Sequence, residues 1–382
     1  MARYRWTILA LGTGAQTAHS AVFLGIPVLA PALQTEYDLD LTHVGLAIAA
    51  ANAGSVFTLL AWGLLADRVG ERVVLGVGLT GCGAGLLVAA FAPSFGVLVI
   101  ALTLGGASGA SVNAASGRAV MSWFGREERG FALGIRQTAL PIGGLLAAVL
   151  LPPIAAAGGL RAGLVALAAG CLVAAVAGIT GLREAPHEEG ELTEIGHPVR
   201  DPRMWQLSVG SGLILAAQVS ILSFLILFLH GERGLSTAAA AGVFAVIQAL
   251  GAGARIVTGR WSDRLSARIA PLRRLALGLA VTLAAAAALL SAPLQVLIPV
   301  FVIAGALSLS WNGLSFTAAA ELAGRRRAGA AIGFQQTALA ITSAVAPPAF
   351  AAVVEAGSWS LAYGLAAAMP IAGIAVMRQL SL

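Results

Sequence analysis

Lysine is absent from this chain, acidic residues are scarce, and only two cysteines occur in 382 residues. Its 23 basic and 17 acidic side chains make up 10% of the sequence, where a water-soluble domain carries roughly 25%. That shortage of charge excludes a soluble globular fold. Cys82 and Cys171 each lie inside an apolar run, so neither a disulfide framework nor a metal cluster is expected. There is no phosphate-binding loop, no nucleophile elbow, no pair of carboxylates within an apolar run and no His/Cys ligand set. An enzyme is therefore not expected, and neither is a cofactor or a metal. The pI near 10.5 would point to nucleic acid in a soluble protein. Here the arginines fall mostly in short segments between apolar runs, where they set topology, and nucleic acid is not an expected partner.

What remains is apolar: 58% of residues are hydrophobic and the mean hydropathy is +0.89. The charges leave runs of about 20 residues, the length a helix needs to cross ~30 Å of hydrocarbon. The stretch after Trp6 is too long for a signal-peptide core and no small-residue cleavage pattern ends it, so it reads as the first membrane helix. Division at charges, turn residues and prolines gives twelve spans, at about 6–31, 42–65, 73–92, 96–121, 131–156, 160–182, 205–230, 236–260, 272–291, 294–320, 328–354 and 359–378. With both termini in the cytoplasm, nineteen arginines fall at cytoplasmic ends and loops, and only Arg161 and Arg233 at external ones. The hydrophilic stretch Arg183–Arg203 divides the chain nearly in half. The expected organisation is an N-terminal six-helix bundle over 1–182, a cytoplasmic linker over 183–204 and a C-terminal six-helix bundle over 205–382.

The two halves repeat each other. Gly12-Thr13-Gly14 matches Gly210-Ser211-Gly212 at an offset of 198, and Asp67-Arg68 matches Asp263-Arg264 at 196, with Arg72 on Arg268. Asn113 matches Asn312 at 199, and Gly134-Ile-Arg-Gln-Thr-Ala-Leu matches Gly333-Phe-Gln-Gln-Thr-Ala-Leu at the same 199. Parallel six-helix repeats related by an axis along the membrane normal are a transporter architecture, with its site near the midplane. With its loop sequence Gly63-Leu-Leu-Ala-Asp67-Arg68-Val-Gly70-Glu-Arg72, the chain resembles the major facilitator superfamily, whose signature is G-x-x-x-D-R-x-G-x-[RK]. The second copy, Gly259-Arg-Trp-Ser-Asp263-Arg264-Leu-Ser-Ala-Arg268, has Ser266 in place of that glycine. The resemblance covers the whole chain. It implies an all-α integral membrane fold of twelve transmembrane helices, two six-helix bundles related by a pseudo-two-fold axis, working by alternating access. It also implies that Asp67, Arg68, Arg72, Asp263 and Arg264 are gating residues; the alternative is that they only anchor topology.

Polar side chains deep in a membrane usually face a cavity or a partner helix. The deep amides, imidazole and guanidiniums are Gln16, His19, Asn52, Asn113, Arg136, Gln137, Gln218, Gln248, Arg255, Asn312, Gln335 and Gln336. All fall in spans 1, 2, 4, 5, 7, 8, 10 or 11, leaving spans 3, 6, 9 and 12 to face lipid. Arg255 lies eight residues before Asp263, and Arg136 seven after Arg129, so each is ~10–12 Å inside its span. A guanidinium binds a carboxylate or a planar anion bidentately. Snorkelling to the surface is the competing reading for each. The pattern around Arg255 is similar to the eighth helix of monocarboxylate, oxalate/formate and nitrate/nitrite members, whose Arg binds the substrate anion. The Gly-rich nitrate signatures are only partly present, as Pro141-Ile-Gly143-Gly144 in span 5.

His19 shares a helix face with Gly12, Gln16 and Phe23 and is the candidate for proton coupling; hydrogen bonding to a partner helix is the alternative. Asn113 and Asn312, Gln137 and Gln336 sit at repeat-equivalent positions and could offer donors to an anion, or bond helix to helix. Gln218 and Gln248 join the candidate site, and Trp311 would wall it or simply pack. The resulting expectation is a monomeric secondary transporter of the bacterial inner membrane. It would carry a small anion, an organic monocarboxylate in the first instance, past membrane lipid with protons or a counter-anion, as in symport or exchange. Proton-coupled drug efflux is the alternative. It usually uses a membrane carboxylate, absent here, and an Arg on helix 4 where this chain has Leu102. A receptor or scaffold built on the same fold is a third class, which the short linker does not favour.

Overall fold

The computed structural model describes residues 4–124, 128–183, 200–265, 267–323 and 328–380. Within them the chain is helical, with no strand. The first half runs α1 (Tyr4–Val28), α2 (Ala30–Tyr37), α3 (Leu41–Val69), α4 (Glu71–Ala90), α5 (Phe95–Gly109), α6 (Ser111–Trp123), α7 (Arg129–Gln137) and α8 (Ala139–Gly181). The second runs α9 (Pro202–Leu227), extended by a π-helical turn (Phe228–Glu232), then α10 (Thr237–Leu265), α11 (Ile269–Ala288), α12 (Leu294–Ser310), α13 (Asn312–Ala323), α14 (Ala328–Ala356) and α15 (Trp359–Val376).

Each expected span is found. Ten helices among the described residues are long and apolar enough to cross a membrane, and the bent pair α1–α2 makes an eleventh crossing. That 56° bend falls between Pro27 and Pro31, since Pro31 has no N–H to give to the carbonyl one turn back. The twelfth lies inside the 50-residue run Ala132–Gly181, which would measure ~75 Å as one rod. The run turns at Gly158 (φ −138°) and Gly159 (φ +67°, ψ −166°), a conformation that suits glycine, and thereby supplies spans 5 and 6. Gly70, at φ +83°, makes the tight joint between α3 and α4, which explains the glycine of the loop signature. Its counterpart Ser266 lies outside the described residues. At the start of span 2, Asp40 caps α3 by accepting the His43 N–H at 2.7 Å. That backbone hydrogen bond holds its carboxyl below the usual range.

The chain divides into two compact units, Met1–Glu188 with Ile226–Ala245 and Glu189–Leu225 with Val246–Leu382. Most of the expected 183–204 linker, residues 184–199, lies outside the described residues. In the first unit α1 packs along α8, α4 sits against α5 and α8, and α3 crosses α5. Helices in lipid gain little from burying apolar area and associate instead through close backbone approach at small residues. A side chain at Gly106 would meet the backbone of Ala51, and one at Gly54 the backbone of Thr103 and Ala107. In the second unit α11 packs against α12 and α15, and α14 against α13 and α15. Its core includes the rings of Phe224, Phe350, Tyr363 and Phe301; Phe350 lies 5.1 Å from both Phe224 and Tyr363, and Phe301 5.3 Å from Tyr363. Spans 3, 6, 9 and 12 carry exposed aliphatic side chains, among them Val77, Val173, Val281 and Leu361. Exposed apolar side chains also stand on spans 2, 4 and 8, such as Phe57, Ile100 and Val257.

Two glycine substitutions test this packing. Gly106→Val pushes α5 off α3 and is expected to cost upward of ~3 kcal/mol, seen as a lower melting temperature or loss of monodisperse protein in detergent. Gly170→Ala, with nothing within 4 Å of the new methyl, is expected to raise the melting temperature, by about 0.5–1 kcal/mol of helix propensity.

Candidate functional site

In the first unit the site is built on Arg136. The short helix α7 buries Ala132 and packs Ile135 against a cluster of Leu9, Val120 and Phe124, and Arg136 projects from the same helix toward α1 and α6. The residue is 6% exposed. Nη1 donates to Gln16 Oε1 at 3.4 Å, and Nε has no hydrogen-bond partner. Gly117 makes room for it: a Cβ there would stand 3.2 Å from Nη2. No ion pair to Arg136 occurs among the described residues; its neighbour is a neutral amide. A buried charge without a counter-charge is expensive in a membrane and is kept where it has work to do.

One turn along α1 from Gln16, His19 is 2% exposed and meets Phe23 edge-on, with centroids 4.6 Å apart. Neither ring nitrogen has an oxygen or nitrogen partner among the described residues, the Cys82 thiol being the polar group beside the ring, and the hydroxyls of Thr13, Ser20 and Ser111 in the same unit are buried and unpaired as well. Buried polar atoms are rarely left so, and water or a ligand is what usually completes them. Gln16, His19 and Phe23 lie along one face of the continuous helix α1. A cavity of about 420 Å³ lies elsewhere, between α1 and the two halves of α8. Its walls include Gly14, Ala18, Ala21, Leu150 and Val173, almost all apolar, on the side of α1 away from Gln16 and His19.

In the second unit the position equivalent to Arg136 is Gln335. It is fully buried, and its Nε2 donates to Ser315 Oγ and to Ser211 Oγ, the latter at 3.4 Å. Both repeats therefore aim the same position, at the start of span 5 or 11, onto the first and fourth spans of their half. The first half places a cation there and the second a neutral amide. Gln218 accepts from Trp311 Nε1 at 3.0 Å, so the fully buried Trp311 packs and bonds helix to helix. Gln248 is fully buried and neither amide atom has a partner. Asn312 is 8% exposed, and Asn113, Gln137 and Gln336 are half-buried.

Arg255 has a different setting. Span 10 breaks at Trp311, and Arg255 Nε donates to the Leu309 carbonyl at 2.8 Å, while Thr258 Oγ1 donates to the Ser310 carbonyl at 2.9 Å. Span 4 breaks at Ala110, and span 2 serves its carbonyls in the same way: Ser55 Oγ donates to Gly106 at 3.1 Å, and Thr58 Oγ1 and Trp62 Nε1 to Ala107 at 2.8 and 2.7 Å. The Arg255 guanidinium thus caps the C-terminal end of α12, where the carbonyls and the helix dipole both favour a cation. Sequence spacing gave no sign of this carbonyl.

Of the expected gating residues, Arg68, Arg72 and Arg264 are exposed, and the Asp67 side chain lies outside the described set. Asp263 pairs with Arg268 at 2.6 Å, and Arg268 also donates to Glu321 at 2.9 Å and to Ser262. In the second copy of the signature the bonded arginine is thus Arg268, the counterpart of Arg72. Cys82 and Cys171 are both free thiols, and their sulfurs stand 3.9 Å apart in the first unit. Nothing in their spacing marks the pairing, because only the packing of α4 on α8 brings spans 3 and 6 together.

Twelve apolar crossings and a repeated set of polar positions define a multi-pass helical membrane protein. Residues 13–347 match the family model described as Major Facilitator Superfamily, and the chain belongs to that family. It is 33% identical over 375 residues to two proteins named as uncharacterized MFS-type transporters in Mycobacterium tuberculosis strains H37Rv and CDC 1551, covering 97% of this chain and 84% of each relative. The fold is that of a bacterial homologue of the human lysosomal transporter Spinster. An inward-facing, occupied crystal structure of that protein superposes with a TM-score of 0.79 at 17% identity, over 98% of this chain and 95% of the other. Its unoccupied form gives 0.77 with the same coverage.

The two arginines should respond differently to neutralisation. Arg136→Gln reproduces the residue that the second repeat uses and removes an uncompensated charge, so its melting temperature should equal or exceed that of the parent. Arg255→Leu leaves the Leu309 carbonyl without its donor and should lose about 1–3 kcal/mol, seen as a lower melting temperature.

Proposed function

We propose that this superfamily member is a secondary transporter of a small organic anion, with a monocarboxylate as the first candidate. It works by alternating access in a bacterial inner membrane, with both termini in the cytoplasm. The observation that carries this reading is the buried Arg136, which has a neutral amide beside it and no acid paired to it among the described residues. A carboxylate supplies the missing charge and accepts two parallel N–H bonds from the fork. Gln16 orients the guanidinium, and His19 on the same face is the group through which protons would couple to anion movement. A counter-anion is the other energetic partner open to it.

Arg255 enters this reading chiefly as the cap of the span 10 break, with Asn312, Gln218 and Trp311 nearby in sequence or bonding. Asn113, Gln137, Gln248 and Gln336 remain candidate polar lining. The chain is taken to act as a monomer.

The test is thermal stabilisation of the purified protein against short carboxylates, nitrate, cyanate and lipophilic cations. A ligand that binds the folded state alone raises its apparent stability by RT ln(1 + [L]/Kd), about 2.7 kcal/mol at a hundred times Kd. Stabilisation by a carboxylate, abolished in Arg136→Gln and retained in Arg255→Leu, is the expected outcome. Stabilisation by lipophilic cations alone would replace this reading with drug efflux.

A further inference from the structure

Cys82 stands near the middle of α4 and Cys171 near the middle of the second crossing of α8, both with no exposed surface. Counting eleven residues from Glu71 puts Cys82 ~16 Å into the membrane, about halfway across. The thiols are 3.9 Å apart, sulfur to sulfur. The His19 ring stands beside Cys82: a Cβ on Gly109 would touch its Nδ1 at 2.6 Å and the Cys82 sulfur at 3.2 Å. We propose that Cys82 and Cys171 form a redox-sensitive pair, oxidised to a disulfide by a small neutral peroxide that enters the membrane interior, with His19 as the proton acceptor.

A side-chain rotation that closes about 2 Å brings the sulfurs to bonding distance. Chemically, the Cys82 sulfur attacks one oxygen of hydrogen peroxide while its proton passes to His19. The O–O bond breaks, and the departing hydroxide takes that proton and leaves as water, giving a sulfenic acid. The Cys171 sulfur then attacks the sulfenic sulfur, and the displaced hydroxide takes the Cys171 proton as a second water. Two thiols are oxidised, one peroxide is reduced, and His19 ends as it began.

The location selects the oxidant. Hydrogen peroxide is neutral and close to water in size, whereas oxidised glutathione would have to bring several charges into hydrocarbon. Disulfides that form in a reducing cell are usually transient and redox-sensing. This one would tie span 3 to span 6 and remove the S–H beside His19, and it stands independently of which substrate is carried.

Purified wild-type protein, reduced and then exposed to hydrogen peroxide or to oxidised glutathione, is denatured and its remaining thiols counted with a maleimide. With peroxide, both thiols should vanish together, peptides containing residues 82 and 171 should be joined in a non-reducing mass map, and dithiothreitol should restore both. Oxidised glutathione should leave both thiols free. In Cys82→Ser the joined peptide should be absent, and His19→Leu should slow cross-linking several-fold in the wild-type cysteine background. Thiols that stay reduced in peroxide, that oxidise singly without joining, or that take up glutathione would each overturn the proposal, as would a rate indifferent to His19→Leu.

Discussion

Hydrocarbon offers no hydrogen bonds, so every backbone group in a membrane span must be satisfied by the protein, and each break in a helix creates a debt that a side chain has to meet. This chain breaks its fourth and tenth spans, at Ala110 and at Trp311. Spans 2 and 8 answer with side-chain donors: Thr58 and Trp62 on the Ala107 carbonyl in one half, Arg255 and Thr258 on those of Leu309 and Ser310 in the other. The same chemistry, provided by different residues, is what a diverged repeat is expected to keep.

Against that shared frame the difference between the halves carries functional weight. At one equivalent position the second repeat has Gln335, bonded to Ser211 and Ser315. The first repeat has Arg136, bonded weakly to Gln16. A neutral amide brings no charge into the membrane interior; its Nε2 is bonded to two hydroxyls, while its Oε1 has no partner among the described residues. A guanidinium in the same place gains nothing from the fold that Gln would not give, and its burial is costly. Under the proposed function, binding an anion accounts for that cost. Arg255, by contrast, has a backbone carbonyl to explain its presence.

The architecture was legible in the sequence because lipid imposes a length and polarity on each span, and positive charge marks the loops. Even the hidden crossing over 132–181 was visible, since Gly158-Gly159 and Arg161 interrupt the apolar run. The face shared by Gln16, His19 and Phe23 followed from helical spacing. What spacing could not supply was partnership across helices. Arg136 and Arg255 have the same depth and the same chemistry in sequence, and only the packing of α10 against the break after Ser310 separates a capping arginine from an uncompensated one. The nearness of the two cysteines was not legible for the same reason: two small residues 89 positions apart carry no periodic signal, and their contact depends on how α4 meets α8.

The central claim is that Arg136 binds the transported anion. Counterflow of a labelled short carboxylate in proteoliposomes tests it most directly, since exchange requires a functioning site and no assumption about coupling. Saturable counterflow by the parent protein, abolished in a folded Arg136→Gln variant, is the predicted result. Equal counterflow by parent and variant would contradict the account.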